Sequence, residues 1–124
     1  MKIDKFYFLE NNEFTKTIKS WAEERQIETL VLDSKKGDLS ELVDAVALFH
    51  ENHNFSKEAE ETHSFIVNNN RPGHKVDING TLAATASNFS MWLERNNPKN
   101  LLVIGVDNLS KNKNLSRFLS SLEK

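Results

Sequence analysis

The six residues Leu101–Val106 (LLVIGV) form an uninterrupted apolar run with no polar position. A strand with one solvated face alternates apolar and polar side chains. A strand covered on both faces does not, and such strands belong to the centre of a parallel sheet. The run therefore asks for helices above and below it. The rest of the chain supplies strand-like and helix-like segments in alternation. Lys5–Glu10 (KFYFLE) and Ile27–Asp33 (IETLVLD) read as strands, and Val76–Ile78 reads as a weaker one. Phe14, Ile18, Trp21 and Ala22 recur at helical spacing and predict a helix over about Asn12–Arg25. Asp38 with Glu41 resembles a capping box, and Leu39, Leu42, Val43, Val46 and Phe49 would make one helical face after it. Ser56 can cap a short acidic-ended helix, followed by a third strand at Ser64–Val67 (SFIV). Leu82, Thr85, Ala86, Phe89, Trp92 and Leu93 predict a helix of about four turns, and the last helix spans about Ser110–Lys124.

This order predicts a three-layer α/β fold: a mainly parallel sheet of four or five strands with helices on both faces, formed as one domain from 124 residues. In such sheets ligands sit beyond the carboxyl ends of the strands. The loops of interest are then Glu10–Lys16, Asp33–Asp38, Asn68–His74 and Asp107–Lys111.

Composition removes several alternatives. There is no cysteine, which excludes disulfides and thiolate metal sites. Lys+Arg 16 against Asp+Glu 18 gives a net charge of -2, so no basic surplus marks a nucleic-acid binder. No apolar stretch has transmembrane length, and the amino-terminal apolar stretch is too short for a signal peptide, so a cytoplasmic setting without membrane contact is expected. The five Asn-x-Ser/Thr sites (Asn54, Asn79, Asn88, Asn108 and Asn114) then reflect asparagine-rich composition and not glycosylation.

Several constellations bear on chemistry. Glu10–Thr17 lies where a phosphate-binding G-x-x-x-x-G-K-[ST] loop would sit, with Lys16 and Thr17 in the Lys and Ser/Thr places. Both glycines are replaced, by Glu10 and Thr15, which removes the backbone freedom that curls N–H groups around a phosphate. Asp107 follows an apolar strand, the setting of a magnesium-holding aspartate, but the favoured reading is that Asp107 or Asn108 caps the last helix. Asp77-Ile78-Asn79-Gly80-Thr81 resembles the D-x-D-G-T motif of haloacid-dehalogenase phosphatases but has Asn79 for the acid–base aspartate; a helix cap at Asn79 explains the same residues. His50-Glu51-Asn52-His53 falls one residue short of H-E-x-x-H and reads as the histidine-rich end of a helix. Lys111, Lys113, Arg117 and Lys124 give the last helix a basic, solvated side.

Two stretches carry a family resemblance. Lys99–Lys124, with Leu109-Ser110, Leu115, Leu119 and Leu122-Glu123, resembles the Walker B strand and following helix of bacterial clamp-loader subunits. Val76–Arg95 is similar to the helix preceding that strand in the delta-prime subunit, and FYFLENNEFTKTI resembles the degenerate P-loop of delta and delta-prime subunits. The resemblance implies a P-loop NTPase/AAA+-like fold without ATPase activity. It also implies a role in DNA replication through protein partners, other clamp-loader subunits among them, with only indirect DNA contact. Lys16, Thr17 and Asp107 would be relics of a nucleotide site, with no catalytic residue, cofactor or metal. The chain departs from the family in lacking the P-loop glycines, the cysteine zinc module, and the segment carrying the trans-acting arginine.

A second reading is a small flavodoxin-like or Rossmann-like binding or regulatory module unrelated to replication, with its site among Glu10, Asp33 and Asp107. A third is a nucleotide hydrolase or phosphatase. Strand order separates the first two: a P-loop-type sheet puts another strand between the first strand and Leu101–Val106.

Overall fold

The computed structural model describes residues 3–9, 11–32, 39–51, 55–79, 81–105, 109 and 111–121. Five strands form one all-parallel sheet in the order β2-β1-β5-β3-β4: β1 (Lys5–Phe8), β2 (Glu28–Val31), β3 (Ala45–His50), β4 (Gly73–Asp77) and β5 (Asn100–Ile104). The helices are α1 (Glu13–Glu24), α2 (Leu39–Leu42), α3 (Lys57–Asn68), α4 (Leu82–Asn96) and α5 (Lys113–Ser121). This is the three-layer α/β arrangement that the all-apolar run required.

Alternation along the buried strands sorts the two layers. Phe6, Phe8, Ala47, Phe49, Leu101 and Val103 face α1, α4 and α5. Tyr7, Val46, Leu48, Leu102 and Ile104 face Ala59 and Ile66 of α3. The first layer is aromatic: the Phe49 ring lies 5.5 Å from Phe14, 5.9 Å from Phe89 and 5.6 Å from Phe118. Truncating a ring such as fully buried Phe118 costs about 3–5 kcal/mol in cores of this kind.

Two elements differ from the sequence expectation. The expected helix through Phe49 stops after the single turn Leu39–Leu42, and Ala45–His50 is a central strand buried at every position. Its apolar residues are continuous because both faces are covered, and a continuous run contains i, i+3, i+4 matches by default. The expected strand Ser64–Val67 is instead the last part of α3. Ser56 caps that helix, its hydroxyl accepting from the Ala59 N–H at 3.0 Å, and Ala59, Thr62 and Ile66 bury one face of it. Burial of Ile66, on the same helical face as Ala59 and Thr62, overrides the local strand preference, while Val67 stays exposed.

The strand order also corrects an expectation. β5 is hydrogen-bonded directly to β1, with Lys5 opposite Asn100 and Phe6 opposite Leu101. No strand separates them, as a P-loop-type sheet requires, so this sheet is not wound in the P-loop manner.

Helix starts set the loops beyond the strands. Asn12 caps α1, its side-chain oxygen accepting from Thr15 N–H at 2.8 Å, and its Nδ2 donates to the Gly105 carbonyl at 3.2 Å. One residue thus ties the start of α1 to the end of β5. A Cβ on Gly105 would lie 2.5 Å from the Phe14 ring, so glycine is what lets Phe14 close over that strand end.

Candidate functional site

In open parallel sheets the ligand crevice lies where the connections leaving two neighbouring strands run to opposite faces. After β5 the chain passes to α5 on the aromatic face, and after β3 it passes to α3 on the other. β5 and β3 are neighbours, so the rule places a ligand crevice at their carboxyl ends. β4, next to β3, is followed by α4 on the aromatic face.

A side-chain network lies at these strand ends. Glu51 follows the last residue of β3, Asn79 lies beyond β4, and Asn112 and Asn114 sit at the start of α5. Asn112 Nδ2 donates to Glu51 Oε2 and to Asn79 Oδ1, both at 2.8 Å. Asn114 Nδ2 donates to the same Asn79 oxygen at 3.2 Å, and Asn79 Nδ2 reaches Glu51 Oε2 at 3.4 Å. The main chain holds the members in place. Asn79 N–H donates to Asp77 Oδ1, and Asn114 N–H donates to Asn112 Oδ1, each at 2.9 Å. Carboxylate oxygens only accept, so Glu51 forces Asn112 to present its NH2 group, and that group's second hydrogen orients Asn79. His50, the last residue of β3, is 2 % exposed, with its ring 5.6 Å from Phe55.

The sequence-predicted residues fall elsewhere. Lys16 is on the exposed side of α1, paired with Glu13 at 3.3 Å, and Thr17 donates its hydroxyl to the Glu13 carbonyl at 3.0 Å. Together they line a groove of about 500 Å³ between α1 and α5, with Ser20, Arg25, Ser116 and Ser120. Neither takes part in the network at the strand ends. Asp107, Glu10, Asp33 and His53 lie outside the described residues. Asn79 does not cap a helix: the cap residue of α4 is Thr81, and the Asn79 side chain belongs to the network. His50 ends a strand, not a helix. Among the described residues no group of three or more His, Asp and Glu could hold a metal ion.

A second titratable pair flanks the start of β4. Burial holds the His63 imidazole below its usual range, with Lys75 acting in the same direction and Glu60 opposing. Burial also lowers His74, with His63 adding to the effect. His74 stacks on Trp92 at 5.3 Å. A Cβ on Gly73 would lie 2.9 Å from His63 Nε2, so glycine permits that close approach.

Sequence reasoning passed over the network because its members come from three loops with no fixed spacing. Its one available signal was asparagine recurring just beyond apolar strands.

No protein-family model matches the sequence, and no curated protein matches it. Among solved structures the chain is similar to a protein from Syntrophus aciditrophicus described as a molybdenum carrier protein. The match has a TM-score of 0.70 at 10% identity and covers 98% of this chain and 92% of that one. At that identity the likeness is one of fold. The fold neighbour is described as a carrier protein and not as a clamp-loader subunit, and the order β2-β1-β5-β3-β4 already lacks the P-loop arrangement. Both findings overturn the clamp-loader resemblance, and with it the replication role.

Proposed function

We propose that this chain is a small, non-catalytic α/β binding module that holds a polar small molecule in the crevice beyond β5 and β3. The observation that carries the reading is the network of Glu51, Asn79, Asn112 and Asn114 at the point where the sheet's connections diverge. Carboxamides neither give nor take a proton near neutral pH, which suits holding a ligand better than transforming it. The fold likeness to a protein described as a molybdenum carrier supports the same binding-and-release reading. A carrier passes its ligand on, so the partner expected is another protein. A cytoplasmic setting belongs to this reading. No described helix is long and apolar enough to cross a membrane, which is compatible with it.

Thermal melting with a panel of ligands tests the proposal: ribonucleosides, sugars, magnesium–ATP and molybdate. A ligand bound only by the folded state raises the melting temperature once its concentration exceeds the dissociation constant. The reading expects at least one panel member to do so, and expects Asn112→Ala to abolish the shift while Lys16→Ala leaves it. A shift abolished by Lys16→Ala and kept in Asn112→Ala would move the site to the α1–α5 groove and defeat the reading.

A further inference from the structure

Resting on the crevice reading, we infer that the ligand is gripped by hydroxyl groups, as a ribose-type vicinal diol, and not by a phosphate or other oxyanion. The argument is an account of unused hydrogen-bonding capacity. The two hydrogens of Asn112 Nδ2 are taken by Glu51 and Asn79. Asn79 Oδ1 accepts two bonds, and Asn112 Oδ1 accepts from the Asn114 main chain. Glu51 accepts only through Oε2 among the described residues, which leaves Oε1 open. Among the described residues Asn114 donates one hydrogen of its NH2 group and leaves its Oδ1 and second hydrogen open. Asn79 Nδ2 likewise uses one hydrogen, on Glu51, and keeps its second. Among the described residues these strand ends therefore offer two acceptors, one of them charged, beside two carboxamide hydrogens.

Each ligand class meets this set differently. A hydroxyl both donates and accepts, so a pair of them can satisfy Glu51 Oε1, Asn114 Oδ1 and the Asn114 N–H together. A hydroxyl donating to a carboxylate also makes one of the stronger neutral-to-charged hydrogen bonds. An ammonium group only donates and leaves both carboxamide hydrogens unmatched. An oxyanion only accepts, and it would face the Glu51 carboxylate at close range, where like charges repel. A carboxylate at a strand's carboxyl end bonding a ribose hydroxyl also recurs in doubly wound sheets.

Calorimetric titration with adenosine, D-ribose, 2′,3′-dideoxyadenosine and molybdate tests this, combined with amide shifts of Asn79, Asn112 and Asn114. The expected result is that adenosine binds at least about tenfold more tightly than its dideoxy analogue, because a site built to bond hydroxyls rejects ligands lacking them. Glu51→Gln, which keeps the side chain's shape, should remove most of that preference. Binding of D-ribose would show that the sugar suffices, whereas adenosine alone would show that the base is read as well. Equal affinity for adenosine and its dideoxy analogue overturns the inference. So does molybdate binding that moves the three asparagine amides and tightens in Glu51→Gln; that result would leave the crevice reading standing. Ligand-induced shifts that avoid those amides altogether would defeat the crevice reading itself.

Discussion

The two ends of the sheet use their polar groups in opposite ways. At the amino end, one oxygen of Asp44 accepts the main-chain N–H groups of Lys99 at 3.0 Å and Asn100 at 3.1 Å, and the Lys99 carbonyl accepts from Asp4 and Lys5. Those bonds join main chain to main chain, or one side chain to main chain, and they fasten the starts of β1, β3 and β5. At the carboxyl end, four side chains bond mainly to one another, and a charged acceptor is left over. One end builds the fold, and the other is the end at which the proposed ligand would sit. The difference teaches that position relative to strand direction, more than residue type, separates structural from ligand-facing polar groups here.

The comparison can be broken by substitution. The largest effect is expected at the joint between the two functions: Gly105→Val should drive a side chain into the Phe14 ring and cost about 3 kcal/mol or more, read by urea unfolding. Asp44→Ala leaves two strand-starting N–H groups without their acceptor. It should cost about 1–2 kcal/mol, discounted for solvent exposure, and leave ligand affinity unchanged. Asn112→Ala should show the reverse profile, a stability loss near 0.5–1 kcal/mol with ligand binding abolished. If Asp44→Ala weakened binding while Asn112→Ala did not, the assignment of the two ends would be inverted.

Acid gives a separate probe of the fold-building end. His63 and His74 have lowered affinities for protons in the folded state, chiefly through burial. Unfolding exposes them and restores a value near 6.5. Stability should therefore be flat with pH above that value and fall as pH drops through it, because the unfolded chain then binds more protons. His74→Phe, which keeps a ring against Trp92, should make the decline shallower. Protection factors of the amides at residues 73–75, taken against the intrinsic exchange rate at each pH, should fall on acidification before those of β5. The smallest effect belongs to Lys16→Ala, expected within about 0.5 kcal/mol of the parent, since its ion pair with Glu13 is exposed.

How much of this was legible in the sequence depends on how local each signal was. The LLVIGV run gave away the parallel sheet because two-sided burial is written residue by residue. The helix at Phe14–Ala22 was equally plain, since its partner is a single face. β3 was hidden by the same two-sided burial, which imitates a helical face over a short run. The end of α3 was hidden because Phe65-Ile66-Val67 prefers extended structure locally, and only the packing of Ala59, Thr62 and Ile66 on one face decides for the helix. The site was the least legible part. Glu51, Asn79 and Asn112 are brought together only by the order β5-β3-β4, a fact of topology that no spacing encodes. Lys16 and Thr17 matched a motif in spacing, but α1 turns them toward α5 and away from the strand ends.

Amide chemical-shift mapping of a bound panel ligand examines the central claim most directly. The account predicts perturbations concentrated at Glu51, Asn79, Asn112 and Asn114, with Asp44, Lys99 and Asn100 at the opposite end unmoved. Perturbations confined to Lys16, Thr17 and Ser116–Ser120, or to the amino end of the sheet, would contradict it.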